Sequence, residues 1–224
     1  MFEGTPVNSA QYNDYLLIIV VVCTIIVLRA YYDKPKMFSQ LLRAAFNFSE
    51  TAKILLDNNV IQQRISFFMN LVFLVNTSIL CFLSIRIFNI SLPAEYNMVL
   101  LAIIFGIITI YYLIRTIIYA LVGYITDCVN IQKQYIKIWM SLNKWYGLIL
   151  LPVIITLLYL PGNIRPYMVY IIASLYAIFF IIKILRGIKL SINNRLSFLV
   201  IFLYLCTLEL LPVIVLLKYI SGVI

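Results

Sequence analysis

Glu209 stands between Leu208 and Leu210 in the middle of FLYLCTLELLPVIVLLK, an apolar run about long enough to cross a bilayer. The seven other acidic residues, Glu3, Asp14, Asp33, Glu50, Asp57, Glu95 and Asp127, fall in loops or at helix ends. A carboxylate near the bilayer centre costs roughly 2.5 to 3.5 kcal/mol or more unless it is protonated or partnered, so Glu209 is expected to face other helices. Counting helical rise from the ends of the apolar runs sets it level with Asn76 and Thr77, with Gly106 and Thr109, with Pro152, and with Ser174. These groups form an expected polar layer. Asn70, Thr77 and Ser84, seven residues apart, add a hydrogen-bonding stripe along one helix. Arg86, Arg115 and Lys183 fall toward helix ends and not at this depth. Glu209 is therefore expected to be hydrogen bonded and largely protonated, because desolvation without a close cation favours the neutral acid.

Two kinds of chemistry suit such a group. It can exchange a proton or hold a cation in a transport path, or it can brace a kinked helix as a structural node. Catalysis is a poorer fit: the chain has no histidine, and one central acid supplies neither a nucleophile with its base nor a metal site. Neither G-x-x-x-x-G-K-[ST] nor G-x-G-x-x-G occurs, so no nucleotide cofactor is expected. Cys23, Cys81, Cys128 and Cys206 are far apart and form no CxxC pair, which argues against a disulfide framework and a zinc site. No catalytic residue, metal or cofactor is expected.

The elements that position these residues are membrane helices. Of the 224 residues, 64% are hydrophobic and 11% charged, and the mean hydropathy is +1.05; soluble domains are nearer one quarter charged. Six apolar runs approach spanning length, at Tyr15 to Leu28, Ile65 to Phe88, Met98 to Tyr119, Met140 to Leu160, Pro166 to Leu185 and Phe198 to Leu217. The expected fold is a single all-α, polytopic membrane domain over 1–224, with an N-terminal helix (1–28), a cytoplasmic loop (29–64) and a five-helix core (65–224). The first run lacks a basic flank and an A-x-A-like cleavage site, so it reads as a retained helix and not a signal peptide.

Placing the N-terminus outside puts all the basic residues except Arg86, Arg165 and Lys218 on the cytoplasmic side, with both termini opposite. This distribution accounts for the net charge of +9 through orientation and anionic lipid, without nucleic acid. Tyr31, Tyr32, Trp139, Trp145 and Tyr146 are then expected as anchors at the cytoplasmic interface, and Tyr96, Tyr159 and Tyr167 at the other. The third helix is expected to continue past Arg115 toward Asp127, as one long helix or with a bend.

In the first loop, Phe38, Leu41, Leu42, Ala45 and Phe46 recur at helical spacing opposite Lys36 and Arg43, the pattern of an amphipathic interfacial helix. Asn47 and Glu50 resemble a capping box opening a second short helix. Farther on, LLPVIITLLYL from Leu150 echoes LLPVIVLLKYI from Leu210. In each, a proline removes an amide proton and crowds the carbonyl four residues earlier, so paired kinks are expected at Pro152 and Pro212.

The segments LYLCTLELLP (Leu203 to Pro212) and GLILLP (Gly147 to Pro152) resemble an uncharacterised family of multi-spanning inner-membrane proteins of Bacteroidota. That resemblance implies a bacterial cytoplasmic membrane and supplies no activity. The amphipathic segment followed by five helices is also similar in architecture to Yip1-type membrane proteins, which act through partners and membrane organisation. The resulting expectation is a non-enzymatic inner-membrane protein, a scaffold or subunit of a cell-envelope assembly, in contact with lipids and a protein partner. The alternative is a small-solute or proton-coupled transporter with Glu209 as its protonatable site.

Overall fold

A computed structural model describes residues 7–33, 60–87, 97–125, 129–161 and 163–193. Five long helices account for nearly all of them: α1 (Val7–Asp33), α2 (Val60–Ile87), α3 (Asn97–Ile125), α4 (Val129–Tyr159) and α5 (Arg165–Asn193). Each contains a segment long and apolar enough to cross a membrane. The expected amphipathic helix of the first loop lies outside the described residues, as do the sixth run, Glu209 and Pro212.

The helices pack through apolar stripes at a spacing of three and four residues. On α4 the buried stripe is Tyr135, Ile138, Trp139, Leu142, Asn143, Tyr146, Leu150, Ile154 and Leu157. On α2 it is Ile65, Met69, Val72, Asn76 and Ile79, and on α1 it is Leu16, Val20, Cys23 and Ala30. This alternation brings one face of each helix onto a neighbour and leaves the opposite face exposed. The closest pairing is α2 with α4; α1 rests on both, α3 packs against both, and α5 lies mainly on α4.

Gly147 sets the α2–α4 approach. A Cβ placed there would sit 2.8 Å from Phe73 Cα and 2.9 Å from Phe73 Cβ, so only glycine permits this backbone distance. Small residues at helix crossings are the usual means of close packing where lipid offers no hydrophobic drive. The same approach lets the Asn76 side-chain amide donate to the Gly147 carbonyl at 2.9 Å.

α3 runs unbroken to Ile125, which selects the single long helix over the bend. α4 continues through Pro152, whose side chain is exposed. One turn later Thr156 Oγ1 donates to the carbonyls of Pro152 and Val153, each at 2.8 Å. At the end of α4, Arg165 Nε donates to the Leu160 carbonyl at 2.8 Å, satisfying an acceptor left open where the helix stops. A guanidinium also suits the negative end of the helix dipole.

Two expectations about position fail. Trp139 and Tyr146 are 3% and 4% exposed and lie in the core, not at an interface. Their rings fill the space between helices, where aromatic area packs better than at the headgroups. Arg115, Lys144 and Lys183, grouped with the cytoplasmic loops by charge counting, lie within helices and are buried.

Candidate cation-lined groove

Arg115 and Lys183 converge on one ring. The Arg115 guanidinium lies 4.5 Å from the Trp139 ring centroid, and Lys183 Nζ lies 5.6 Å from it. Tyr112 stacks on the same indole at 4.6 Å between centroids and a 26° interplanar angle. Aromatic faces carry negative quadrupole density, so each cation gains attraction here that hydrocarbon cannot give.

Helical periodicity makes this convergence. On α3, Tyr112, Arg115 and Tyr119 follow one another at three and four residues and form its inward face. On α5, Val169, Ile172, Tyr176, Phe179 and Lys183 do the same. Both meet the Trp139, Asn143 and Tyr146 stripe of α4. Arg115 also donates from Nη2 to Tyr119 Oη at 3.1 Å, while Lys183 Nζ donates to Asn143 Oδ1, tying α5 to α4. Tyr146 packs edge-on against Tyr176 and Phe179, with centroids at 5.2 and 5.8 Å.

Beside this cluster opens a groove of about 370 Å³, reached by Thr77 and Ser84 of α2, Arg115 of α3, Trp139 and Asn143 of α4, and Lys183 of α5. Most of the wall formed by the described residues is aromatic or aliphatic, and its polar groups are the two cations, hydroxyls, the Trp139 indole N–H and the Asn143 amide. The indole N–H of Trp139 is buried and has no acceptor among the described residues. A groove of this composition suits a group with a negatively charged or hydrogen-bond-accepting end. Among the described residues, no cluster of three or more potential metal ligands occurs.

The polar layer expected at Glu209's depth is only partly assembled. Asn76 is fully buried and bridges to α4. Thr77 faces the groove but donates to the carbonyls of Phe73 and Leu74 on its own helix. Thr109 likewise donates to Phe105. Ser174 is exposed and donates to Ile171, so it does not belong to the layer. Such local bonds satisfy a hydroxyl without a second helix, which is why depth alone does not predict a layer. Of the Asn70, Thr77 and Ser84 stripe, Thr77 and Ser84 share the groove wall, and Asn70 does not reach it.

Arg115, Trp139, Asn143 and Lys183 carry the site and were not singled out as a group by the sequence. A signal existed: a cation in phase with a tyrosine on the same helix face, one turn away in YYLIRTIIY (Tyr112 and Arg115) and two turns away in LYAIFFIIK (Tyr176 and Lys183).

A bundle of five helices, each long and apolar enough to span a membrane, is compatible with the class of polytopic helical membrane proteins. Within that class, a sequence profile for DUF4271, a domain of unknown function, matches residues 15–220, so the chain belongs to this family. No curated protein and no solved structure matches it.

Proposed function

We propose that this protein is a non-enzymatic component of the bacterial inner membrane, acting as a scaffold or subunit of a cell-envelope assembly. The observation that carries the reading is how its buried polar groups are used. Asn76 joins α2 to α4, Lys144 donates to Ser66 between the same two helices, and Lys183 joins α5 to α4. Interhelical bonds of this kind fix neighbouring helices in register. They suit a frame that presents its surfaces to another protein more than a bundle that must open a path. In this reading both termini face the periplasm, the connection expected over 29–64 lies on the cytoplasmic face, and lipid and one protein partner cover the outer faces.

A second reading rests on the groove. An open, cation-lined space of about 370 Å³ is large enough for a small anionic solute, and a transporter would use it with Glu209 as the group that changes protonation. Purification of the full chain from native membranes in mild detergent distinguishes the two. The assembly reading expects a partner at reproducible stoichiometry. Recovery as a lone monomer or homo-oligomer overturns it, and proteoliposome uptake of small organic anions then tests the transporter.

A further inference from the structure

We infer that the groove binds the carbonyl-bearing ring of a membrane-soluble quinone, held by the Trp139 indole N–H and the Tyr112 hydroxyl. Two donors without acceptors call for it. Trp139 lines the groove, and its indole N–H is buried with no acceptor among the described residues. Tyr112 lines it too, stacked on that indole, and its hydroxyl is likewise buried without a hydrogen bond. Its neighbour Asn143 has already committed its side-chain oxygen to Lys183, so the phenolic proton has no acceptor there. An unmatched buried donor costs more than an ordinary hydrogen bond returns, and two on one wall mark the place of a ligand oxygen.

The rest of the lining selects the class of ligand. The hydroxyls of Thr77 and Ser84 donate to carbonyls of their own helix and offer a ligand no proton. Arg115 and Lys183 are engaged already, by the Tyr119 hydroxyl and by Asn143 respectively, and both by the Trp139 ring. They therefore do not demand a charged ligand. Phe73, Tyr112, Tyr146 and Tyr176 bring aromatic surface to the groove, which suits a planar ring, and Leu80 and Ile172 add aliphatic surface that suits a prenyl tail. A quinone combines these properties: it is flat and uncharged, its carbonyl oxygens accept, and it donates nothing. A fatty acid or phospholipid brings acceptors but no ring for the aromatic wall. The volume of about 370 Å³ lies in the range of small-molecule sites.

The inference rests on neither functional reading above. A quinone site is compatible with an assembly subunit and with a transporter, and co-purification of a protein plays no part in its test.

The test uses the full-length protein in detergent with Trp145→Phe, which leaves Trp139 as the single remaining tryptophan of the chain's two. The probe is a naphthoquinone with a short prenyl tail, a ring that quenches indole fluorescence on contact. Saturable quenching of Trp139 is expected; quenching that rises linearly with the probe and never saturates overturns the proposal. Tyr112→Phe keeps the stacked ring and removes one donor, and it is expected to weaken the apparent affinity about 3- to 10-fold. An unchanged affinity overturns the proposal. Methylnaphthalene, the same ring without its oxygens, is expected not to compete at concentrations where the quinone saturates. Equal competition overturns the proposal, because the oxygens then contribute nothing. If oleate displaces the quinone at concentrations below those at which the quinone itself binds, the groove belongs to an anionic amphiphile and the proposal falls.

Should Tyr112→Phe fail to fold, Ala173→Leu takes its place. Ala173 lines the groove and is exposed, so added bulk there narrows the groove without entering the core. Saturation is expected to move to severalfold higher probe concentration at an unchanged thermal midpoint. Saturation at the original concentration overturns the proposal.

Discussion

α3 and α4 are of similar length, 29 and 31 residues, but the more apolar of the two is the peripheral one. Over its spanning segment α3 is 11% buried within the protein, whereas α4 is 56% buried. In water that ordering would be reversed. In lipid, the helix that can face hydrocarbon all along one side needs no polar partner, while the helix carrying Asn143, Lys144, Trp139 and Gly147 must find its partners inside. Sequence polarity therefore marks the centre of this bundle, not its surface.

The comparison breaks most sharply at Trp139. Its ring receives Tyr112, Arg115 and Lys183, so replacement by alanine removes a packed aromatic and the surface on which both cations rest. Trp139→Ala is expected to cost about 3–5 kcal/mol, the range for deleting a buried aromatic. The measurement is the midpoint of thermal or denaturant unfolding in detergent. A loss below 1 kcal/mol would place α4 among the lipid-facing helices and undo the contrast with α3.

Gly147 sharpens the same contrast on the other side of α4. Even alanine there would meet the Phe73 backbone at 2.8 Å, and valine demands that α2 and α4 separate. Gly147→Val is expected to cost about 1–3 kcal/mol through overpacking. Because separation also breaks the Asn76 bond, Gly147→Val and Asn76→Leu should be less than additive in a double-mutant cycle. Full additivity would show that the close approach and the hydrogen bond are independent.

How far the sequence discloses this arrangement depends on whether the controlling physics is local. Hydropathy finds the five described spans because bilayer thickness fixes their length. It also points to Asn76, since an amide in hydrocarbon needs a partner wherever it lies. Ser174 is misplaced because a hydroxyl can bond to its own helix, an option that depth counting ignores. Arg115 and Lys183 are misplaced for a different reason: the positive-inside pattern treats a basic residue as a marker of loops, and a cation with an aromatic acceptor inside the bundle escapes that rule. Tryptophan brings the same ambiguity, since its ring serves both an interface and a core, and only the stripe from Tyr135 to Leu157 decides between them.

Asn76→Leu alone probes the α2–α4 seam without changing its spacing. Leucine shares the branched side-chain skeleton of asparagine with more bulk, and Gly147 keeps its place in the α4 backbone ladder, so what is removed is the single 2.9 Å bond and an Oδ1 with no partner among the described residues. The expected loss is about 0.6–2 kcal/mol, the range for hydrogen bonds between membrane helices. Unfolding in detergent reads this directly, and an unchanged midpoint would show that packing around Gly147 holds the seam by itself.

The smallest effect is expected on the outer face of α3, where Ile103, Ile107, Ile110, Ile114 and Ile117 are all more than half exposed. Each already contacts whatever surrounds the bundle, so trimming a methylene leaves no internal cavity. Ile107→Val, Ile110→Val and Ile114→Val combined should shift stability by less than about 0.5 kcal/mol, as for ordinary surface substitutions. The same triple change also tests what covers this face in the membrane. Lipid tails re-form around a smaller side chain, whereas a packed protein partner feels each lost methylene. If the triple variant keeps its detergent stability but loses a co-purifying protein, α3 is the docking helix and its low burial reflects a missing partner. If it keeps both, the face meets lipid, and the contrast with α4 is complete within this one chain.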